Sequence, residues 1–200
     1  MKRWIKVCGL RSRTHVDDAV RAGATHCGFN TLAISKRRVS LDTALDLTRQ
    51  IRRDQLPIEP VVLLDHPDLA TVNQLIGAGA AFVQLHGGES IDQLAIYPKP
   101  FIMAVVRKSD RLESALARVS TCRHLLIDST RDELPSDWVD RLRRAAGKIG
   151  TKLWRAGGLA PEQVPADIQS FDGVDVASGI EVDAVPDFQR MRSFVEAFQR

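Results

Sequence analysis

Cysteine is scarce in these 200 residues: there are three, with no C-x-x-C pair. An odd, widely spaced set neither staples a small secreted domain nor closes a structural zinc site, so reduced thiols are expected. Long hydrophobic runs are missing too. Val61-Val62-Leu63-Leu64 and Leu125-Leu126-Ile127 each end in Asp, far short of the roughly 20 apolar residues of a spanning helix, and they read as buried strands. Aromatic side chains supply only 6% of the chain, whereas a nucleic-acid groove interleaves basic residues with exposed rings. The basic residues are dispersed among acidic ones, as in Arg49-Gln50-Ile51-Arg52-Arg53-Asp54, and the net charge is only +3, as on solvated helix faces. Neither nucleic acid nor a membrane is an expected partner. Lys2-Arg3-Trp4-Ile5-Lys6-Val7 is already strand-like and lacks the apolar stretch and small-residue cleavage site of a leader, so a cytoplasmic location is expected.

What the chain does have is alternation. Short β-rich runs at 2–7, 25–30, 60–65, 81–85, 101–106, 124–128, 151–156 and 173–177 are separated by stretches with helical spacing, the pattern of parallel strands joined by crossover helices. Helical periodicity is clearest in Leu41, Ala44, Leu45, Thr48 and Ile51, in Leu69, Val72, Leu75 and Ile76, and in Phe188, Met191, Phe194, Val195 and Phe198. Weaker helices are expected at 14–22, 90–95, 111–119, 136–147 and 161–168. Ser40, Asp65 with Pro67, Ser136 and Pro161 stand where the second, third, sixth and seventh helices should start. Eight strands, each followed by a helix, predict a single α/β domain over 1–200, a closed (β/α)8 TIM barrel. An open doubly wound sheet is the alternative, but Cys8-Gly9-Leu10-Arg11-Ser12 is not the G-x-G-x-x-G turn usual there.

Barrels of this kind place their chemistry at the C-terminal ends of the strands. Here those positions hold Cys8-Gly9, Asn30, Asp65-His66, His86-Gly87-Gly88, Arg107-Lys108, Asp128, Gly157-Gly158 and Ser178-Gly179. Glycine turns after both of the last two strands suit a phosphate, because their backbone N–H groups form an anion concavity; either turn alone could equally be a plain strand-to-helix connection. Cys8, with neighbouring cations to lower its pKa, could serve as a general base, whereas Cys27 and Cys122 read as small buried hydrophobes. Asp128 closes an apolar run, a setting that favours a protonated carboxyl able to act as general acid; capping the next segment is its competing role. His86 and Asp175 sit where they can orient a ligand or simply hold structure. Asp65, His66 and His86 together suggest a metal, but the adjacency of Asp and His is not ligand spacing, and no metal is expected.

Lys6-Val7-Cys8-Gly9-Leu10, Ser35-Lys36-Arg37-Arg38-Val39-Ser40, Val83-Gln84-Leu85-His86-Gly87-Gly88, Ala156-Gly157-Gly158-Leu159 and Gly173-Val174-Asp175-Val176-Ala177-Ser178-Gly179-Ile180-Glu181 together resemble phosphoribosylanthranilate isomerases, in order along the whole chain. The resemblance implies an Amadori rearrangement of N-(5′-phosphoribosyl)anthranilate in tryptophan biosynthesis, without cofactor or metal. It implies Cys8 as the base at the sugar C2, Asp128 as the acid that opens the furanose, and Arg37 against the anthranilate carboxylate, which a guanidinium fork suits. His86 and Asp175 would contact substrate, and Gly157, Gly158, Ser178 and Gly179 the phosphate, in a monomer or homodimer.

The chain also departs from that pattern. The family's second Gly-rich loop, after strand six, is replaced by the glycine-free Ser129-Thr130-Arg131-Asp132-Glu133-Leu134-Pro135-Ser136-Asp137, which removes amide donors and adds carboxylates near the phosphate. Met103 stands for a lysine, Asn30-Thr31-Leu32-Ala33-Ile34 for an aromatic-proline stretch, Leu64-Asp65-His66 for Val-Asn, and Val182 to Asp187 for G-x-K-D. A divergent isomerase, a paralogue acting on another phosphorylated sugar derivative, and a non-catalytic barrel for binding or regulation are the three readings these changes leave open.

Overall fold

Eight short runs of Val, Ile, Leu and Ala form the strands β1 (Trp4–Cys8), β2 (His26–Asn30), β3 (Glu59–Leu64), β4 (Phe82–Leu85), β5 (Ile102–Arg107), β6 (His124–Asp128), β7 (Lys152–Ala156) and β8 (Gly173–Val176). In the computed structural model, which describes residues 3–86, 88–107, 110–129 and 135–199, they pair in parallel in sequence order and close through β1 against β8. This is the (β/α)8 architecture that the alternation predicts. Around it lie α1 (Arg13–Ala22), α2 (Leu41–Arg53), α3 (Leu69–Gly77), α4 (Ile91–Ala95), α5 (Leu112–Val119), α6 (Ser136–Ile149) and α7 (Phe188–Phe198). Among the described residues no helix is long and apolar enough to cross a membrane.

The main core lies between strands and helices, where Ile5, Val7, Val83 and Ile127 meet helical residues such as Val16, Leu75, Leu142 and Phe194, all fully buried. The alternate residues of each strand fill the barrel itself, because successive side chains on a strand point to opposite faces. At its N-terminal end they form a layer of rings: Trp4 stacks on Trp154 at 5.6 Å between centroids, and His26 meets Trp154 edge-on at 5.1 Å. Phe82 lies 3.9 Å from His124, whose Nδ1 accepts the Trp154 indole N–H at 2.8 Å. Two residues further along the strands comes a polar layer, Lys6, Gln84 and Asp175; two further again come Cys8, His86 and Asp128.

Several expected starts move. The third helix is capped by Asp68, which accepts the Thr71 N–H, rather than by Asp65. Ser136 is already helical, with Pro135 before it and no side-chain cap. The helix expected at 161–168 does not form, and only a 3-10 turn, Ala166–Ser170, follows β7. Pro165 explains this: inside such a helix it would lack the N–H for its bond and clash with the carbonyl four residues back. After β8 the chain makes a two-residue hairpin, Glu181–Val182 (β9) with Val185–Pro186 (β10), whose loop residues Asp183 and Ala184 both have positive φ (49° and 61°).

Candidate active site

The exits of β1, β4, β6, β7 and β8 surround one cavity of about 320 Å³. Cys8, His86, Asp128, Asp175, Gly157, Gly158 and Ser178 line it, with Arg37 and Leu32 from the loop after β2. Gly179 is buried behind this lining, its carbonyl accepting the Arg190 Nε–H at 2.9 Å. Of the sequence-predicted site residues, the cavity wall thus unites all but Gly179.

Cys8 ends β1 and is almost completely enclosed. Burial pushes its thiol pKa up, and this outweighs the downward pull of the Lys6 ammonium. The expected lowering by neighbouring cations is therefore overturned, because the same strand geometry that brings a cation close also removes water. Asp128 ends β6. Behind it the Ser129 N–H donates to the Ala156 carbonyl at 3.1 Å, and the buried Arg155 donates from Nη1 to the carbonyls of Ser129 (3.2 Å) and Ala156 (3.0 Å). The carboxylate thus projects from a backbone clamped to β7. Gly157 makes this approach possible: a Cβ there would meet Asp128 Oδ1 at 2.5 Å and the Ser129 backbone at 2.8 Å.

Arg37 reaches the cavity from outside the barrel. Its Nε and Nη2 donate to the two carboxylate oxygens of Glu181 at 2.6 Å each, a bidentate pair that fixes the plane of the guanidinium. Glu181 belongs to the last quoted sequence block, yet a sequence gap of more than a hundred residues hid its partnership. His86 presents its ring to the cavity; burial lowers its pKa, and its Nδ1 is enclosed without a partner among the described residues.

Beneath the cavity lies what the sequence reading missed. Lys6 is fully buried and donates from Nζ to Asp175 Oδ2 and Gln84 Oε1, both at 2.8 Å. Burial opposes its charge, but Asp175 and Cys8 beside it prevail and hold its pKa above the ordinary value. Asp175 is accordingly an ion-pair partner as well as part of the cavity wall. The available signal was the period of two: Lys6 precedes Cys8, and Gln84 precedes His86, by two residues on strands whose other face is apolar.

Among the described residues, Asp65, His66 and Glu89 offer ligand atoms within 4.8 Å of one another and could hold a metal ion. Glu89, brought in from the loop after β4, was not in the sequence grouping of Asp65, His66 and His86. Local bonds already engage the group, since the His66 N–H donates to Glu89 Oε1 (3.1 Å) and Asp65 Oδ1 lies 2.6 Å from His66 Nδ1. Gly87, Lys108 and residues 130–134, which include Arg131, Asp132 and Glu133 of the glycine-free segment, lie outside the described residues.

A family model described as N-(5′-phosphoribosyl)anthranilate (PRA) isomerase matches residues 5–197. The N-(5′-phosphoribosyl)anthranilate isomerase of Streptococcus gordonii is 32% identical over 200 residues, spanning 96% of this chain and 95% of its own. The crystal structure of phosphoribosyl anthranilate isomerase from Thermotoga maritima is similar with a TM-score of 0.81 and 23% identity, covering 99% of this chain and 98% of that one. A second isomerase structure, in complex with reduced 1-(o-carboxyphenylamino)-1-deoxyribulose 5-phosphate, has a TM-score of 0.78 at 24% identity, again covering 99% and 98%.

Proposed function

The chain belongs to the N-(5′-phosphoribosyl)anthranilate isomerase family, and we propose that Cys8 and Asp128 are the base and acid with which it carries out the isomerisation of tryptophan biosynthesis. The observation that carries this assignment is that Cys8 and Asp128, 120 residues apart in sequence, line the same cavity. Asp128 gives its proton to the furanose oxygen as the C1–O bond breaks, and the lone pair of the anthranilate nitrogen forms a protonated imine with C1, conjugated to the aromatic ring. That protonated imine acidifies the C2 proton, which the Cys8 thiolate accepts to leave an enolamine; C1 then takes up a proton and the C2 hydroxyl gives one up, which forms the ketone and restores the acid and the base. An acid and a base acting in this way contribute roughly 10²–10⁴ in rate each.

Arg37, its plane set by Glu181, receives the anthranilate carboxylate. His86 and Asp175 orient the sugar hydroxyls from the opposite wall. The phosphate sits against the backbone amides of the turns Gly157-Gly158 and Ser178-Gly179; both glycines of the first turn have positive φ (91° and 65°), which turns the chain sharply at the cavity wall. The 5-phosphate of the ligand in the related isomerase complex is the group such a seat would take. No cofactor takes part in these steps. The assembly proposed is a monomer or homodimer, and the cytoplasm suits three reduced thiols.

Purified protein should quench the fluorescence of freshly formed phosphoribosylanthranilate, and Cys8→Ala and Asp128→Asn should each abolish that decay. Activity indifferent to both changes would exclude the mechanism. Complementation of a tryptophan auxotroph lacking this isomerase tests the activity in the cell.

A further inference from the structure

We propose that Lys6 is a positioning residue of the isomerisation: its ammonium, held between Asp175 and Gln84 directly under the cavity, supplies the countercharge for the Cys8 thiolate. The inference rests on the assignment of Cys8 as base. Lys6 and Cys8 are alternate residues of β1 and so face the same interior. Gly28 of β2 shows how closely they lie, because a Cβ there would touch both Cys8 Sγ (2.7 Å) and Lys6 Cε (2.9 Å). Two of the three Lys6 donors are committed at 2.8 Å to Asp175 and Gln84. The ammonium and the Cys8 thiol act on one another electrostatically, the lysine drawing the thiol pKa down and the thiol raising that of the lysine.

The charges around Cys8 single out this lysine. Arg37, from the loop after β2, is matched by Glu181 in a bidentate pair. From β8 Asp175 repels a thiolate, and from β2 Cys27 adds a second buried thiol. Across the cavity His86 and Asp128 complete the wall, and burial disfavours a charged His86. Lys6 is therefore shared between Asp175 and Cys8. When Cys8 releases its proton to solvent, the ammonium balances the new charge; when the thiolate takes the substrate C2 proton, the thiol returns and Lys6 reverts to Asp175. An enclosed thiolate without such a partner would bear the full cost of leaving water.

The test is the pH dependence of Cys8 alkylation by iodoacetamide on the full chain, read by peptide mass mapping, which separates Cys8 from Cys27 and Cys122. Lys6→Met should raise the pH of half-maximal labelling by at least about one unit, slowing labelling at neutral pH about tenfold, and lower kcat far more than it changes KM. Lys6→Arg should restore much of both. Asp175→Asn, which frees the ammonium for Cys8, should move the profile the other way. Should Lys6→Met fail to fold around an unpaired Asp175, the double variant Lys6→Met/Asp175→Asn must still label at higher pH than Asp175→Asn alone. Superimposable profiles with and without Lys6, or an upward shift in Asp175→Asn, overturn the proposal. Full activity of Cys8→Ala instead overturns the base assignment, and with it the catalytic part of Lys6.

Discussion

A methyl group added at Gly157 would lie 2.5 Å from Asp128 Oδ1 and 2.8 Å from the Ser129 backbone, at a φ of 91° that side chains rarely adopt. Gly157→Ala should therefore displace the acid, and because a misplacement of about 1 Å can cost about 10²-fold, kcat should fall by at least that factor. Steady-state kinetics beside a urea melt would separate this from the accompanying loss of stability of about 1–3 kcal/mol. Gly28→Ala acts on the base side in the same way, through Cys8 Sγ and Lys6 Cε. The glycines that matter most for mechanism are thus spacers for the reacting side chains. Glu181→Gln breaks the fork on Arg37; it should raise KM several-fold for the carboxylate-bearing substrate while leaving kcat within about threefold, as expected for lost uniform binding.

At the scale of elements, the caps decide where helices begin. Asp68→Ala should cost about 1 kcal/mol by removing the acceptor for the Thr71 N–H, whereas Asp65→Ala, at the position favoured by sequence, should change stability by no more than about 0.5 kcal/mol; urea unfolding distinguishes the two. The hairpin after β8 carries a different strain. Its loop residues Asp183 and Ala184 both have positive φ, and a two-residue hairpin of this kind favours glycine at the second position. Ala184→Gly should accordingly stabilise the protein by up to about 1 kcal/mol, seen as a higher urea midpoint. The missing helix at 161–168 belongs to this scale as well. Pro161 suits a first turn, but Pro165 forbids the second.

For the molecule as a whole, the ring layer at the closed end of the barrel predicts acid lability. His26 and His124 are both pushed down to about 3 from 6.5 by burial, with Lys6 adding to the effect on His26 and His26 to that on His124. Their folded forms refuse a proton that the unfolded chain accepts, so the stability they contribute is complete above about pH 6.5 and is lost as the pH falls towards 3. Each adds about 1.4 kcal/mol per pH unit to the slope within that window. Thermal melting between pH 7 and 4 should show a steep fall in Tm, and His26→Phe should flatten it. A Tm independent of pH over that range would contradict the neutral pairing of His124 with the Trp154 indole.

The alternation of apolar strands with amphipathic helices determined the barrel, because burying one face of each element leaves few other arrangements for eight such units. Local signals also placed Cys8, Asp128 and the Gly157-Gly158 turn at strand exits, where a barrel concentrates its chemistry. Tertiary structure alone decided what those residues meet. Lys6 became the buried partner of Asp175 and Cys8, Glu181 closed on Arg37, and Glu89 joined Asp65 and His66, each across a separation along the chain that no local pattern encodes. The sign of the shift at Cys8 belongs with these contacts. It is set by how much water the closed barrel excludes against how near the cation comes, and both quantities exist only once the strands have paired.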